Sequence, residues 1–436
     1  MANSIESGWI AQAQPYRSFP ALTGNVTTDW LIIGGGFTGL SAARELAARC
    51  PGERIMLIDA KRIAQGAAAR NSGFNVGYDV PDFTRETAAA NMAEYLARTR
   101  IDIAGATENE RLIRDLGISC DYLPTGYFYA VHDPARFAGA AALADVLRDA
   151  GAEAQVLEGD AVPARFGTGF YRRALFIGGG GNGSLQPAKF SKGLVDNMPA
   201  PVELHEDTPA LGLSPASGGG AVVTIPGGQI RAKKVILALN GLLPRFGYKR
   251  FRMVPLTLTA SLTRPLTAEE DEAIGRPEPW AVLCPIKGGT TARLTQDRRI
   301  LIRNTAEYRP AGVDAAGVAV RRQTHLLGLR RRFPSMTEAD IEFSWAGTMA
   351  GSRGYRFIFE QASPDVFLTA CCNGNGVARL SMLGRLLVQY ATGDQNELLT
   401  TTLSLAQPGL LPPDPFLRIG VAARFALDRR KVADEV

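Results

Sequence analysis

The apolar and polar positions near the amino terminus follow a pattern that predicts a strand, a helix and a second strand. Residues 29–33 form a short apolar run that is typical of a buried strand. Residues 38–48 place their apolar side chains on one face, as an amphipathic helix does. Another apolar run, residues 54–59, predicts a second buried strand that ends at an aspartate. This order of elements indicates a unit that binds a dinucleotide.

A glycine pattern joins the first predicted strand to the helix. In Gly34-x-Gly36-x-x-Gly39, the first glycine allows a tight turn, the second lets the backbone approach a pyrophosphate, and the third lets helix and strand pack closely. The N–H groups that begin the helix would hold the phosphates, and Asp59 would accept the hydroxyl groups of a ribose. A glycine-rich turn without a ligand is the alternative. The predicted contacts are Gly34, Gly36, Phe37, Thr38, Gly39, Asp59 and Ala60.

Further patterns organise the rest of the chain. Residues 88–116 form a charged stretch with helical periodicity, and residues 178–183 form a glycine run. Residues 215–237 predict a hairpin that leads into a buried strand. The small residues 374–377 begin a second amphipathic helix. The tail, residues 412–436, is basic and amphipathic, which favours a docked terminal helix over a membrane-surface anchor.

Composition narrows the class of protein. The chain has 436 residues, 46% of them hydrophobic, and this length predicts two domains that share a cleft. Its net charge of +5 is too diffuse for nucleic-acid binding. Five irregularly spaced cysteines, with no signal peptide and no apolar stretch long enough for an integral membrane segment, predict a cytoplasmic protein. Three scattered histidines argue against a metal site or a catalytic triad, so we expect the chemistry to belong to a cofactor.

Several longer stretches resemble one family. They are the loop GAAARNSGF at residues 66–74, SLQPAKFSKGLV from Ser184, KKVILALNG at residues 233–241, and CNGNGVARLSMLGRLLVQYATG from Cys372. Together they resemble the D-amino-acid oxidase superfamily of FAD enzymes, above all its glycine, sarcosine and γ-glutamylputrescine oxidases. The resemblance extends over nearly the whole chain.

The resemblance implies FAD as the cofactor. Two nucleotide-binding ends far apart in the sequence, one for the pyrophosphate and one for the flavin, fit FAD better than NAD. Members with covalently attached flavin carry a cysteine where this chain has Gly347, so we expect non-covalent FAD. The further contacts that the resemblance implies are Ala67, Ala68, Arg70, Asn71, Ser72, Gly73 and Phe74 in the loop, Asn240 and Gly241, and Gly374, Asn375, Gly376 and Val377 at the second helix.

The family pattern also implies the fold and the domain organisation. The fold class is α/β, or α+β overall, with a Rossmann-like FAD-binding domain interleaved with a substrate domain built on an antiparallel sheet. We expect the FAD-binding domain to comprise residues 1–80, 184–250 and 340–400. The substrate domain would comprise residues 81–183 and 251–339, and residues 401–436 would form a tail with a helix.

The expected reaction is oxidation of the C–N bond of a small carboxylated amine. Hydride would pass from the carbon to flavin N5, and the imine would hydrolyse to an oxo acid and an amine while O2 is reduced to H2O2. Iminodiacetate, sarcosine, glycine and pipecolate are the candidate substrates, and we expect a secondary amine before a primary one. A quinone could replace O2 as the acceptor, and the oligomeric state is left open.

The substrate carboxylate needs a cationic anchor, for which arginine is suited. Arg293 lies where relatives carry an arginine, whereas Arg303 replaces a glycine and Arg353 could replace an anchor lost at Met349. Lys287 is a candidate for favouring reduction of O2. Each of these cations has a surface or structural ion pair as its alternative interpretation.

One substrate-strand position departs from the relatives. Thr257 and Thr259 fall where γ-glutamylputrescine oxidases carry a sequence similar to Gly-Ser-Tyr. We therefore place Thr259 in the substrate site, and we expect a different substrate because that tyrosine is absent. The alternative functions are a γ-glutamylputrescine or polyamine oxidase, a quinone-linked D-amino-acid dehydrogenase, and a FAD-binding protein without catalytic activity.

Overall fold

The computed structural model describes residues 6–81, 88–286 and 288–436, with the backbone alone at residues 88–90. The helices are α1 (Gly8–Gln12), α2 (Phe37–Arg49), α3 (Ala88–Asp115), α4 (Ala140–Asp149), α5 (Ala161–Phe166), α6 (Pro187–Asp196), α7 (Ala268–Ala273), α8 (Ala315–Arg332), α9 (Ala378–Ala391), α10 (Glu397–Ser404) and α11 (Phe416–Lys431). None of these described helices is long and apolar enough to cross a membrane.

The first large sheet is mostly parallel. Its strands are β1 (Val26–Ile33), β2 (Ile55–Ile58), β8 (Val202–His205), β9 (Gly212–Pro215), β10 (Ala221–Ile225), β11 (Gly228–Leu237), β17 (Ile358–Ser363) and β18 (Val366–Ala370). The strands β18, β11, β1, β2 and β8 are neighbours in that order and parallel. The predicted hairpin at residues 215–237 is confirmed, because β10 and β11 pair antiparallel.

Helices α2 and α9 pack together against this parallel sheet. Ile32 of β1 lies in one buried cluster with Leu40 of α2 and Leu383 of α9. A Cβ atom added at Gly384 would lie 2.2 Å from the Thr38 carbonyl oxygen, so a glycine is required where the two helices touch. This close approach fixes the beginning of α2 relative to α9, which brings two distant parts of the sequence together.

The second large sheet is antiparallel except for one pair. Its strands, in spatial order, are β16 (Ile341–Gly351), β12 (Val254–Thr263), β15 (Ile300–Tyr308), β14 (Thr291–Leu294), β13 (Trp280–Leu283), β4 (Tyr127–Val131), β6 (Arg173–Gly178) and β5 (Glu153–Glu158). The parallel pair is β13 with β4, and a small sheet joins β3 (Phe74–Asn75) to β7 (Gly183–Ser184). Strand β16 pairs with β12 although its residues follow the domain boundary expected at residue 340. The division into domains otherwise stays a prediction.

Candidate active site

The turn between β1 and α2 is built from backbone. Gly34 has a φ of +109°, and a Cβ atom at Gly39 would lie 1.9 Å from the Gly34 carbonyl oxygen. Both positions therefore require glycine. Within the described part of the chain, no heavy atom lies within 4 Å of a Cβ atom placed at Gly36. The first turn of α2, with Phe37 and Thr38, thus begins at an open surface where its N–H groups can receive an anion.

Asp59 follows β2 and fastens the glycine turn. Its Oδ2 atom accepts a hydrogen bond of 2.8 Å from the Gly35 N–H, and its Oδ1 atom accepts one of 2.9 Å from Lys61. Burial raises the pKa of the Asp59 carboxyl, and the two backbone donors oppose that shift. Carboxylate oxygens have spare lone pairs after these bonds, so the group keeps its capacity to accept ribose hydroxyls. Ala60 beside it is exposed.

The second loop, residues 66–74, is held in shape by Asn71. Its amide donates to the carbonyl oxygens of Ala67 and Ala68, and its Oδ1 atom accepts from the Gly73 N–H at 2.8 Å. Trp9 and Trp345 donate from their indoles to the carbonyl oxygens of Asn71 and Arg70, at 2.9 Å and 3.1 Å. The loop is consequently fixed between the amino-terminal helix and β16, as a rigid wall of a binding site should be.

Arg293 lies behind this loop. It is 4% exposed, and its Nη1 atom donates to the carbonyl oxygens of Ser72 (2.5 Å), Leu185 (2.9 Å) and Gly73 (3.3 Å). Burial lowers the pKa of its guanidinium to about 10. Three bonds to carbonyl oxygens favour a structural role, in which Arg293 supports the loop, over the anchoring role expected from the sequence.

The turn from β18 into α9 forms a second open end. Asn375 is buried, its amide donates to the Val76 carbonyl oxygen at 3.1 Å, and its Oδ1 atom has no partner among the described residues. A Cβ atom added at Gly374 would enter open space, as at Gly36, whereas one added at Gly376 would pack beside Cys372. Val377 starts the helix and lies at its amino-terminal end. A turn of small residues with an unsatisfied buried amide oxygen is suited to binding the polar edge of a cofactor ring.

A second segment closes the turn from the side of β11. Asn240 follows that strand in a 3₁₀ helix (Asn240–Phe246), and its Oδ1 atom accepts from the Cys371 N–H at 3.0 Å. Gly241 lies next to it, where an added Cβ atom would approach Ala350 of β16 at 3.6 Å. The expected contact residues of this segment therefore lie beside the β18–α9 turn.

Sequence reasoning missed a buried ion pair beneath this turn. Arg379 of α9 donates from Nε and Nη2 to the two carboxylate oxygens of Asp102 on α3, at 2.8 Å and 2.6 Å, and both residues are at most 5% exposed. Burial raises the pKa of Asp102, and the guanidinium opposes this by favouring the carboxylate. Arg379 also donates to the Cys372 carbonyl oxygen at 3.4 Å, so the pair holds the turn in place.

The antiparallel sheet presents one row of side chains across four strands. Leu283 of β13 pairs with Tyr129 of β4, and Thr291 of β14 pairs with Arg303 of β15. Val282 pairs with Ala292, which puts Leu283 opposite Thr291. Residues opposite one another share a face of the sheet. Neighbouring strands lie about 4.8 Å apart, so three strand spacings put the backbones of Tyr129 and Arg303 about 14 Å apart. This row is the floor of the candidate substrate site.

Arg303 occupies one end of the row. Its guanidinium donates to the Thr291 hydroxyl and to the Gly289 carbonyl oxygen, and no carboxylate of the described residues forms an ion pair with it. Burial lowers the pKa of Arg303 to about 10. A desolvated cation without an acidic partner is costly unless a ligand supplies the anion. Arg303 is therefore the strongest described candidate for binding a carboxylate.

Asp79 occupies the other end of the row and was not predicted. Its Oδ1 atom accepts from the Tyr129 hydroxyl at 3.3 Å and from the Val80 N–H at 2.8 Å. Burial raises the pKa of Asp79, and the nearby Arg379 opposes that shift. No local motif marks this residue, because Tyr129 lies on β4 and Arg379 on α9, both distant in the sequence.

The structure does not place Thr259 in the substrate site, where the sequence pattern predicts it. It is 2% exposed, its hydroxyl contacts the Thr305 hydroxyl, and His325 Nε2 on α8 lies 3.0 Å away. The residues Ala260 and Leu262 of the same strand pack instead with Trp345 beside the second loop. Because side chains alternate along a strand, Thr259 faces α8, on the opposite side of the sheet from the loop.

Arg353 and Lys287 are the remaining predicted residues of the substrate site. Arg353 is exposed, in a 3₁₀ helix (Arg353–Tyr355) after β16, and its Cδ atom lies near Gly409 of the tail. It is not part of the row that contains Arg303. Lys287 lies outside the described residues, so its expected role stays a prediction.

The fold and these two ends define a class of protein. A parallel sheet with a glycine turn at one helix, a second open helix start, and a walled cleft over an antiparallel sheet fit an extended dinucleotide with a redox ring. The family of FAD dependent oxidoreductases called DAO matches residues 29–390, and the chain belongs to this family. The expected fold class, the FAD cofactor and the expectation of an oxidoreductase are thereby confirmed.

Individual relatives span most of the chain. It is 26% identical over 412 residues to the gamma-glutamylputrescine oxidoreductase of Escherichia coli K12, covering 90% of each protein. The crystal structure of glycine oxidase from Geobacillus kaustophilus superposes with a TM-score of 0.69 at 20% identity, over 87% of this chain and 99% of the other. Iminodiacetate oxidase from Chelativorans sp. BNC1 superposes with a TM-score of 0.65 at 18% identity, over 84% and 96%. These structures share the fold.

Proposed function

We propose that the protein oxidises the C–N bond of a small carboxylated amine and that Arg303 binds the carboxylate. The observation that carries this proposal is a recessed guanidinium without an acidic partner, on the sheet face that lies toward the second loop. Relatives named for glycine, iminodiacetate and γ-glutamylputrescine agree with an amine substrate. Secondary amines such as iminodiacetate and sarcosine are the preferred candidates within this class.

The proposal assigns tasks to the residues of this chain. FAD, when bound, supplies the two-electron acceptor for the hydride of the substrate carbon. Its diphosphate would lie at the start of α2, its ribose at Asp59, and its ring between the second loop and the β18–α9 turn. Arg303 would bind the carboxylate of the substrate. Asp79, at the far end of the row, is too distant to contact the nitrogen of so small an amine. Gly347 offers no thiol for a covalent link, so acid precipitation is expected to release the flavin.

The test is an anaerobic panel of amines with the loss of flavin colour as the signal. Iminodiacetate, sarcosine, glycine and pipecolate are compared with amines that lack the carboxylate. In Arg303→Met, kcat/KM for the carboxylated amines is expected to fall about 10²-fold, because about 3 kcal/mol of charge-assisted hydrogen bonding is lost. Arg353→Met, which removes an exposed arginine, is the matched control and is expected to leave kcat/KM unchanged.

A second candidate function rests on the relative from Escherichia coli and on Asp79. A carboxylate at one end of the row suits the free ammonium group of a polyamine derivative. Bleaching by polyamine derivatives alone would establish that function and contradict the first proposal. A yellow protein that no amine bleaches would indicate a FAD-binding protein without catalytic activity. Peroxide formed at the rate of substrate loss would identify O2 as the acceptor, and its absence would favour a quinone.

A further inference from the structure

The exposed apolar side chains of the described residues are concentrated in the tail. Ten large hydrophobic residues are exposed, and five of them lie between residues 403 and 427. The most exposed of these are Phe416 (67%), Leu410 (65%) and Ile419 (62%). Isolated surface hydrophobics are ordinary, whereas a group of them marks a contact surface.

Helix α11 has two apolar faces. Leu417, Val421 and Phe425 are partly buried and, with Val432, follow the spacing of the face that docks on the protein. The exposed residues Phe416, Ile419 and Leu427 lie on another stripe, at positions i, i+3 and i+11. Docking therefore accounts for only one of the two apolar faces, and the other points away from the protein.

Exposed cations lie on the same helix, and Arg430 and Lys431 fall next to the outward stripe. Arg418, Arg429, Arg430 and Lys431 are all exposed, and none of them forms an ion pair within the part of the chain that the structure describes. Arg424 differs, because it pairs with the buried Asp428 at 2.9 Å. Two uncompensated cations next to the apolar stripe, with two more on the same helix, are complementary to an anionic, lipid-like surface.

A second group of exposed apolar and basic side chains lies just before the helix. The Leu411 N–H donates to the Phe251 carbonyl oxygen at 2.7 Å, which places the exposed Leu410 beside the exposed Phe251. Arg250, the residue before Phe251, is exposed and also lacks an ion-pair partner among the described residues. The same combination of apolar and basic side chains thus occurs on two segments that contact each other.

We propose that α11 and the adjoining Leu410–Phe251 segment, here called the tail patch, dock on the surface of an anionic phospholipid membrane. Phe416, Ile419 and Leu427 would enter the boundary between head groups and acyl chains, and the cations would contact the lipid phosphates. A second copy of this chain fits less well, because an interface formed by two identical patches would bring the same cations together. Acidic proteins could meet the charges but leave the apolar stripe without a matching partner.

Vesicle sedimentation with the FAD-loaded protein tests the tail patch. The protein is expected to sediment with vesicles of phosphatidylcholine and phosphatidylglycerol at low salt and to stay in solution with phosphatidylcholine alone. Salt at 0.5 M, on the order of a 4 Å Debye length, is expected to release it. Phe416→Ser/Ile419→Ser and, separately, Arg429→Gln/Arg430→Gln/Lys431→Gln should each weaken binding at least tenfold.

The control replaces an exposed apolar residue elsewhere. Val320 on α8 is 71% exposed, so Val320→Ser removes comparable surface away from the tail and should leave vesicle binding unchanged. Absence of binding to anionic vesicles, or equal binding by all variants, would overturn the proposal. A dimer by light scattering that Phe416→Ser/Ile419→Ser dissociates would assign the patch to an interface between copies instead.

Discussion

The turn between β1 and α2 and the row from Tyr129 to Arg303 prepare two binding surfaces in different ways. The turn offers backbone N–H groups, and Gly34 and Gly39 are required there because the neighbouring backbone leaves no space for a side chain. The row offers a guanidinium, two hydroxyls and a nearby carboxylate, whose directions depend on the pairing of four strands. A backbone site tolerates changes of side chain but no added bulk. A side-chain site tolerates bulk nearby but no change in register.

The largest expected effect comes from adding bulk to the backbone site. In Gly39→Val, the first added carbon would lie 1.9 Å from the Gly34 carbonyl oxygen, which forces α2 away from β1. We expect loss of FAD and of most soluble folded protein. Flavin stoichiometry and thermal unfolding of the purified variant measure both.

A matched glycine separates folding from cofactor binding at the same turn. Gly36→Ala adds a Cβ atom into open space, so the protein should fold with its normal Tm while FAD affinity falls. Gly139→Ala, also in open space but away from the site, should change neither. Normal FAD content in Gly39→Val would refute the close packing of helix and strand on which the comparison depends.

The ion pair between Arg379 and Asp102 gives the next largest effect. Asp102→Asn leaves a buried guanidinium without its counterion, which is expected to cost about 3–5 kcal/mol of unfolding free energy. Urea denaturation measures this loss. The double variant Asp102→Leu/Arg379→Met removes both charges and should recover much of the stability. Equal destabilisation by the single and double variants would show that the helices depend on packing and not on charge pairing.

The difference between the two regions also explains what the sequence could predict. The glycine spacing, Asp59 and the loop at residues 66–74 are consecutive features, and their local geometry follows from their order along the chain. Arg303 and Asp79 face one cleft only because β15, β14, β13 and β4 pair in that register. Thr259 was misplaced for the same reason, since a shift of one position along β12 exchanges the face toward α8 for the face toward the loop.

His325 lies on the face of the antiparallel sheet that is turned away from the cleft, and its titration tests whether that face is buried. Burial lowers its pKa to about 3, so the folded protein keeps it neutral while the unfolded chain protonates it near pH 6.5. Between these values the unfolded state binds one more proton, and unfolding free energy should fall by up to about 1.4 kcal/mol per pH unit as pH decreases. His325→Gln should remove this part of the slope, measured by urea denaturation between pH 7 and pH 5. An unchanged slope would contradict a neutral, buried imidazole.

The smallest effects distinguish the two faces of the antiparallel sheet directly. Thr259→Val breaks contacts with Thr305 and His325 under α8, so it should lower unfolding free energy by about 1–2 kcal/mol and leave KM unchanged. Thr291→Val removes the hydroxyl that accepts from Arg303, so it should raise KM for a carboxylated amine several-fold with little loss of stability. The two variants make the same chemical change, so a difference between them reports which face of the antiparallel sheet each side chain lies on. A rise in KM in Thr259→Val, with none in Thr291→Val, would mean that the substrate binds on the α8 side, because only the face that holds the carboxylate can alter its affinity.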